Sequence, residues 1–559
     1  MNHSDIHNMK QQKFERPEWE EWLQVAESSL KGRTVDSLKT PTAEGISLKP
    51  LYTASPNPSH TVRPSHRKWI SAQPTIGETG SEWISSMKES LEKGNEAIYL
   101  DGGTPNKWDD VSLKALAELM LDYPFAFLHI NSEDRLLDVF KLISLDEREK
   151  VTGLLLSDTV QLPLGYKNVR TVGIDLESIH MRGADSVTEL ALALSQAAEH
   201  AMTMESFDQF CDKVFFRFPA DTHFFMEISK FRAFRTLWQL FCSAYDMNDN
   251  TAVPLMAVTS LRSYSKIDPY VNLLRAGNSS FSAVLGGADW LTVYPYNELT
   301  GNTQQSLRYA RNVQLIIREE THADKVADPG GGSYFIEQLT KELVHKAWHL
   351  FLEIEEMGGS KAFLHSGKLD QLAEERKENV ASGVSSLIGT SVYADPANHE
   401  LVENSSRNET ARPAYPFEEL RKKTLKQPID IRLVVFGSLK SYKPRADFAA
   451  GFLATAGLTA KHSPSFTDAY EAIEWLEAEK PDYAILCAAP GQIEQVAPEI
   501  SSKKPPGVVL DVAGRVSDEL TNDWLANGLD GFVFKGQNRI EKLSQVLSQC
   551  KGGEKIEEA

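Results

Sequence analysis

From about residue 80 the chain alternates short apolar runs with longer amphipathic stretches. The runs are EAIYLDG (96–102), FAFLHI (125–130), VTGLLLS (151–157), VRTVGID (169–175), KVFFRF (213–218), AVPLMAV (252–258) and DWLTVYP (289–295). Helical patterns such as VTELALALSQAAEHAM (187–202) and HFFMEISKFRAFRTLWQLFC (223–242) lie between them. Strands that are apolar throughout and alternate with helices predict parallel βα units, covered on both faces. Seven such candidates and one weakly signalled neighbour predict a (β/α)8 TIM-type barrel; an open doubly wound sheet is the other arrangement, and the number of units favours closure.

A second rhythm begins after residue 430: IRLVVFG (431–437), a helix over 445–457, a strand at Thr459–His462, a helix over 467–479, DYAILCAA (482–489), a helix near 491–501, GVVLDVAG (507–514), a helix over 516–527, GFVFKG (531–536) and a helix over 538–550. Five parallel strands in so short a span predict a flavodoxin-like domain. IRLVVFG leads into a loop before its helix, the place where such sheets grip a cofactor. It offers Lys440, Ser441, Tyr442, Lys443, Pro444 and Arg445, with Gly437 its only glycine and no histidine or carboxylate.

The remainder is punctuation. Residues 1–75 predict an N-terminal amphipathic helix around Glu18–Leu30, stopped by Lys31-Gly32, followed by an extended, proline-rich arm. Residues 76–378 hold the barrel and its closing helices, 379–428 form a polar linker, and 429–559 form the second domain.

Charge changes the picture by exclusion. The formal net charge is 59 − 78 = −19, against the basic face that nucleic-acid phosphates require. Cys211, Cys242, Cys487 and Cys550 lie far apart without ligand-like spacing, which predicts reduced thiols and no metal site. No apolar run reaches membrane-spanning length, and the N-terminal residues lack the apolar core of a signal peptide, so the expectation is a soluble, cytoplasmic chain.

The most distinctive stretch is DKVADPGGGSYFIEQLTKEL (324–343). Asp328-Pro329 opens a turn, Gly330-Gly331-Gly332 admits backbone conformations closed to other residues, and Ser333 stands where it caps the following helix. The spacing is neither GxGxxG nor a Walker loop. DPGGGSYFIEQLT, the preceding RYARNVQLIIREETHADKVA (308–327), FSAVLGGADWLTVYPYNE (281–298) and FFMEISKFRAFRTLW (224–238) together resemble the methylmalonyl-CoA mutase family. The pattern Trp22, Leu30-Lys31-Gly32, Gly45-Ile46 and Pro50-Leu51-Tyr52 fits as well, so the likeness spans nearly the whole chain.

That resemblance implies an adenosylcobalamin-dependent isomerase interconverting (R)-methylmalonyl-CoA and succinyl-CoA, with cobalamin between a barrel and a flavodoxin-like domain. The family's cobalt-binding loop reads G-x-D-x-H-x-x-G. Placed from Gly437, its aspartate falls on Leu439, its histidine on Ser441 and its last glycine on Pro444. The family's Ser-x-Leu near the third strand is replaced by Cys487-Ala488-Ala489, and its paired glycines after the fourth by Ala513-Gly514. In the barrel, its catalytic histidine falls on Val258, its substrate-binding arginine near Lys213 and a glutamine near Arg182, while His180 persists as a lone histidine expected to pack or hydrogen-bond. The basic residues Arg182, Lys213, Arg262 and Lys266 are expected on a solvated surface. The resemblance therefore implies the small (beta) subunit, without catalytic, cofactor or metal residues of its own, in a heterodimer whose large (alpha) subunit carries adenosylcobalamin. A self-sufficient mutase with a divergent site and a regulatory protein that binds a CoA ester are the alternatives.

Overall fold

The computed structural model describes residues 18–53, 68–102, 108–157, 162–247, 252–397 and 409–550. Much of the expected proline-rich arm and the centre of the expected linker lie outside the described residues. Beyond a short antiparallel pair, Thr40–Pro41 with Ser47–Leu48, the strands between residues 68 and 300 are β1 (Ile70–Ser71), β2 (Ile98–Asp101), β3 (Phe125–Leu128), β4 (Gly153–Leu155), β5 (Val169–Arg170), β6 (Val172–Asp175), β7 (Val214–Ala220), β8 (Leu255–Thr259) and β9 (Trp290–Thr292). They form two parallel sheets, β2-β3-β4-β5 and β1-β9-β8-β7-β6. Only Thr171 separates β5 from β6, and its N–H donates to Lys213 O; at the other edge Glu96 N–H donates to Ser71 O, tying the approach to β2 onto β1.

The helices of this part include α1 (Trp19–Ser29), α2 (Gly80–Glu92), α3 (Ser186–Ala201), α4 (Phe224–Ser243), α5 (Val271–Gly286), α6 (Gln304–Thr321), α7 (Tyr334–Glu356) and α8 (Lys368–Ala381). Every residue of β7 and β8 is buried, as parallel strands sandwiched between layers require. Phe231, Phe234 and Trp238 of α4 pack on Phe216 and Phe218 of β7, and each such buried aromatic contributes about 1.5–3 kcal/mol of transfer free energy.

The glycine-rich turn behaves as expected. Ser333 Oγ accepts from Ile336 N–H at 3.4 Å to start α7, and Glu337 takes the Gly332 N–H at 3.1 Å. Glu337 also receives Arg232 Nη2 at 2.7 Å, while Arg232 Nη1 binds Asp328. The turn is thereby locked to α4.

The expected linker contains a helix that its polar composition concealed, α9 (Tyr415–Lys426), with Phe417, Glu418, Leu420, Arg421 and Thr424 buried. The last part consists of β10 (Ile431–Phe436), α10 (Leu439–Ala454), β11 (Lys461–Phe466), β12 (Tyr483–Cys487), α11 (Pro490–Lys503), β13 (Val509–Ala513), β14 (Gly531–Val533) and α12 (Arg539–Cys550), with further helices between. The strand order is β11-β10-β12-β13-β14, all parallel. Two expectations need correction. The second strand runs from Lys461, later than expected. The segment read as a loop is helical from Leu439 onward, because Ser438 is extended, Ser441 N–H and Tyr442 N–H already bond Ser438 O, and Pro444, early in the helix, removes only one backbone donor.

Among the described residues no helix is long and apolar enough to cross a membrane.

Candidate functional site

The C-terminal ends of the strands before residue 300 open into a cavity of about 1210 Å³. This end of parallel strands is where α/β folds place their sites, since the loops there are free to vary. A chain of charged and phenolic groups crosses its floor. Arg217, in the middle of β7 and fully buried, sends Nη1 to Asp175 Oδ2 at 2.8 Å and Glu177 Oε2 at 2.6 Å, and Nη2 to Tyr294 Oη at 2.9 Å and Asp101 Oδ2 at 3.3 Å. Tyr294 Oη–H donates to Glu177 Oε1 at 3.0 Å, and Tyr99 donates to Asp101 Oδ2 at 2.9 Å.

Register creates this cluster. Asp175 and Arg217 are direct cross-strand partners of β6 and β7, and Asp101 ends β2. His129 follows β3 with φ 53°, a left-handed turn that lays its ring between two strands. Its Nδ1 lies 2.7 Å from Asp101 Oδ1 and its Nε2 2.9 Å from Asp175 Oδ2. Burial works against the imidazolium, but the hydrogen bonds to Asp101 and Asp175 prevail and hold its pKa at about 9. Asp175 stays below the usual carboxylate range: burial opposes ionisation, and the charges of Arg217 and His129 outweigh it. Both ring nitrogens of His129 are committed to carboxylates, so it offers no lone pair to a metal.

A second buried network lies behind this one. His180 Nδ1 is 2.6 Å from Glu189 Oε1, and its Nε2 is 2.6 Å from Ser260 Oγ. Lys230 Nζ joins Glu189 at 2.9 Å, Glu227 at 2.7 Å and Pro219 O at 2.6 Å. The Ser–His–Glu order imitates a hydrolytic triad, yet Ser260 and His180 are each 1% exposed and no substrate reaches them. Burial, then the Arg262 charge, presses the His180 pKa down to about 4, so the ring is neutral. It serves packing, as expected of a lone histidine on this chain.

The family profile described as Methylmalonyl-CoA mutase matches residues 164–431. A methylmalonyl-CoA mutase small subunit of Porphyromonas gingivalis is 26% identical, covering 94% of this chain and 96% of its own length. The small subunit of Streptomyces virginiae is 27% identical over 95% of this chain and 96% of its own length. The mitochondrial methylmalonyl-CoA mutase of Mus musculus is 27% identical over 68% of this chain and 61% of its own length. The chain is thus similar over nearly its whole length to small subunits of methylmalonyl-CoA mutase.

The positions that resemblance to the methylmalonyl-CoA mutase family singled out are not gathered in one place. Val258 sits in β8, fully buried in the apolar core. Lys213 precedes β7 at the end away from the cavity, its Nζ bonded to Tyr166 O, Lys167 O and Val169 O at 3.1–3.2 Å. Arg182 reaches Leu364 O at 3.2 Å. Arg262 and Lys266, expected on a solvated surface, are buried; Arg262 binds Asp221 at 2.7 Å and the carbonyls of His180 and Ala184, because the loop after β8 folds inward.

After residue 430, Leu439 and Pro444 are exposed, and Ser441 sits in the first turn of α10. The neighbouring Arg445 reaches over the C-terminal ends of β12 and β13, its Nη1 donating to Ala488 O and its Nε lying 3.1 Å from where a Cβ on Gly514 would stand. Gln492 Oε1 comes within 2.9 Å of the same point on Gly437.

Sequence reasoning missed Asp101, His129, Asp175, Glu177, Arg217 and Tyr294. The available signal was a charged residue inside, or at the C-terminal end of, an otherwise apolar strand: Arg217 within KVFFRF and Asp175 closing VRTVGID.

Proposed function

We propose that this chain is the small, non-catalytic subunit of an adenosylcobalamin-dependent methylmalonyl-CoA mutase, built as a (β/α)8 barrel at 76–378 and a flavodoxin-like domain at 429–559, and paired with a larger homologous subunit that holds the cofactor. The strand sequence β1 to β9, with its two edge hydrogen bonds, supports closure into a barrel. The order β11-β10-β12-β13-β14 is that of flavodoxin-like sheets.

The residues present do not fit cobalamin. Ser441 has no imidazole to offer cobalt, and Leu439 has no carboxylate to orient one. The observation that carries the reading is Arg445. Its guanidinium lies over the C-terminal ends of β12 and β13, beside Ala488 and Gly514, the positions that stand for the family's Ser-x-Leu and paired glycines, so the groove between them is filled as well as stripped of its ligand. The barrel agrees, since Val258 presents only methyl groups and the cavity's arginine is already held by this chain's own carboxylates.

The test is co-expression with a larger homologue whose loop retains the histidine, followed by cobalamin quantification. A 1:1 complex with one cobalamin is expected, together with no histidine-ligated spectrum when this chain alone, or its Ser441→His variant, is titrated. Two cobalamins per complex, separate elution of the two chains at micromolar concentration, or turnover by this chain alone would overturn the proposal.

A further inference from the structure

Beside the large cavity lies a smaller one of about 320 Å³, walled by the start of α6, the end of α2 and the segment after β1. Its charges are Lys93, Arg308 and Arg311 against a single Glu89, and Glu89 is already engaged by Lys93. In a chain of net charge −19 this is a local reversal of sign.

Arg311 is the informative member. It is only 9% exposed. The other buried arginines among the described residues face carboxylates or several carbonyl oxygens: Arg217 meets Asp175 and Glu177, Arg232 meets Glu337, Arg262 meets Asp221, Arg412 meets Glu418, Arg275 meets Asn272 and Ile388 O, and Arg421 meets the carbonyls of Ala454 and Thr455. Arg318, two turns along the same helix, holds Glu96 with both Nη groups at 2.7–2.8 Å. Arg311 makes one long hydrogen bond, Nη1 to Ser90 Oγ at 3.3 Å, and no described carboxylate forms an ion pair with it; its unpaired Nε–H is shared with Arg217, Arg232, Arg318 and Arg412 and does not set it apart.

A buried charge without an ion-pair partner is costly, and an anion entering this cavity would relieve that cost. Arg308, one turn earlier and exposed, forms no ion pair with the described residues either, and its charge adds to the positive field. Burial holds the Arg311 pKa below the ordinary arginine value, the Glu89 charge offsets this in part, and the Arg308 charge adds a smaller lowering, while the guanidinium stays protonated. The N-terminal turn of α6 faces the same space through Gln304 and Gln305, and the Thr303 capping box takes up only the Ser306 N–H of that turn. Helix start and two neighbouring guanidinium groups converge on one volume.

We propose that this cavity binds a phosphoryl group, with Arg311 as its buried anchor and Arg308 as the cation that closes over it. The two cavities share Pro74 and Thr75, so the organic part of a phosphorylated metabolite has room on the far side of that wall.

The test is isothermal titration of the full chain with inorganic phosphate, at ionic strength matched with chloride because phosphate also stabilises proteins non-specifically. Saturable binding is expected, weakened about tenfold by Arg308→Gln and about tenfold or more by Arg311→Met, as loss of a charge-assisted hydrogen bond requires. Without phosphate, Arg311→Met should melt no lower than the wild type, since it removes a buried charge that has no partner. Arg308→Gln alters an exposed side chain and keeps the test decisive even if the Arg311 variant folds poorly. Absence of saturable heat, equal affinity in wild type and Arg308→Gln, or malonate binding as tightly as phosphate would overturn the assignment.

Discussion

Arg412 and Glu418 form the pair whose disruption yields the sharpest prediction. Arg412 Nη1 and Nη2 each meet one carboxylate oxygen of Glu418 at 2.8 Å, and both residues are at most 1% exposed. Glu418 Oε1 also accepts the backbone N–H of Lys266 at 2.8 Å, and Arg412 donates to Tyr264 O at 3.1 Å. Arg412→Met removes the cation and leaves a buried carboxylate with a single N–H donor, which costs about 3–5 kcal/mol. Adding Glu418→Leu removes that stranded charge and leaves an unsatisfied Lys266 N–H, a loss of about 1–3 kcal/mol. The double variant is therefore expected to be more stable than the single Arg412→Met by about 2 kcal/mol, the difference between those ranges. Urea unfolding measures it, with hydrogen exchange of the 260–268 peptide as the local readout, because a chain of this size need not unfold in one step. A double variant as unstable as Arg412→Met, or less stable, would refute the reasoning and leave lost packing, not stranded charge, as the source of the cost.

Three further outcomes follow from other sites. His129 is held at about 9, above its unfolded value of about 6.5, so its stabilisation is complete below pH 6.5 and fades as pH rises through 9; His129→Gln should flatten thermal stability across that window. His180 is shifted the other way, to about 4, so the unfolded chain takes up a proton that the folded one refuses. Stability should fall from pH 6.5 toward 4, and His180→Gln should remove that part of the slope in melting curves. Gly183 has φ 108°, and a Cβ there would stand 2.6 Å from Ala373 N of α8, so Gly183→Ala should destabilise by roughly 1–3 kcal/mol and raise hydrogen exchange in 368–381; unchanged exchange would contradict the backbone clash.

The parallel βα rhythm was legible because strands buried on both faces cannot hide their apolar runs, and KVFFRF or IRLVVFG has few other uses. The start of α10 was not legible: Lys440, Ser441, Tyr442, Lys443 and Pro444 have loop composition, and only the backbone path shows Ser438 opening a helix. Site chemistry was harder, because it depends on register. Nothing in the string of letters pairs Asp175 with Arg217, 42 positions away, until β6 and β7 align. Arg262 and Lys266 misled for the converse reason: a basic residue implies water until an inward fold supplies carboxylates and carbonyls.

Helix α9 has a mechanical meaning beyond its contribution to stability. On one side Glu418 holds the loop after β8; on the other Arg421 grips Ala454 O and Thr424 grips Ala456 O at the end of α10. Two more fasteners, Asn538 to Glu378 and Arg539 to Ala381 O, join the second domain to α8. A segment whose composition suggests slack thus acts as a bracket with bolts on both flanges. Swinging the sheet of β10 to β14 away from the strands before residue 300 would break all of these bonds together.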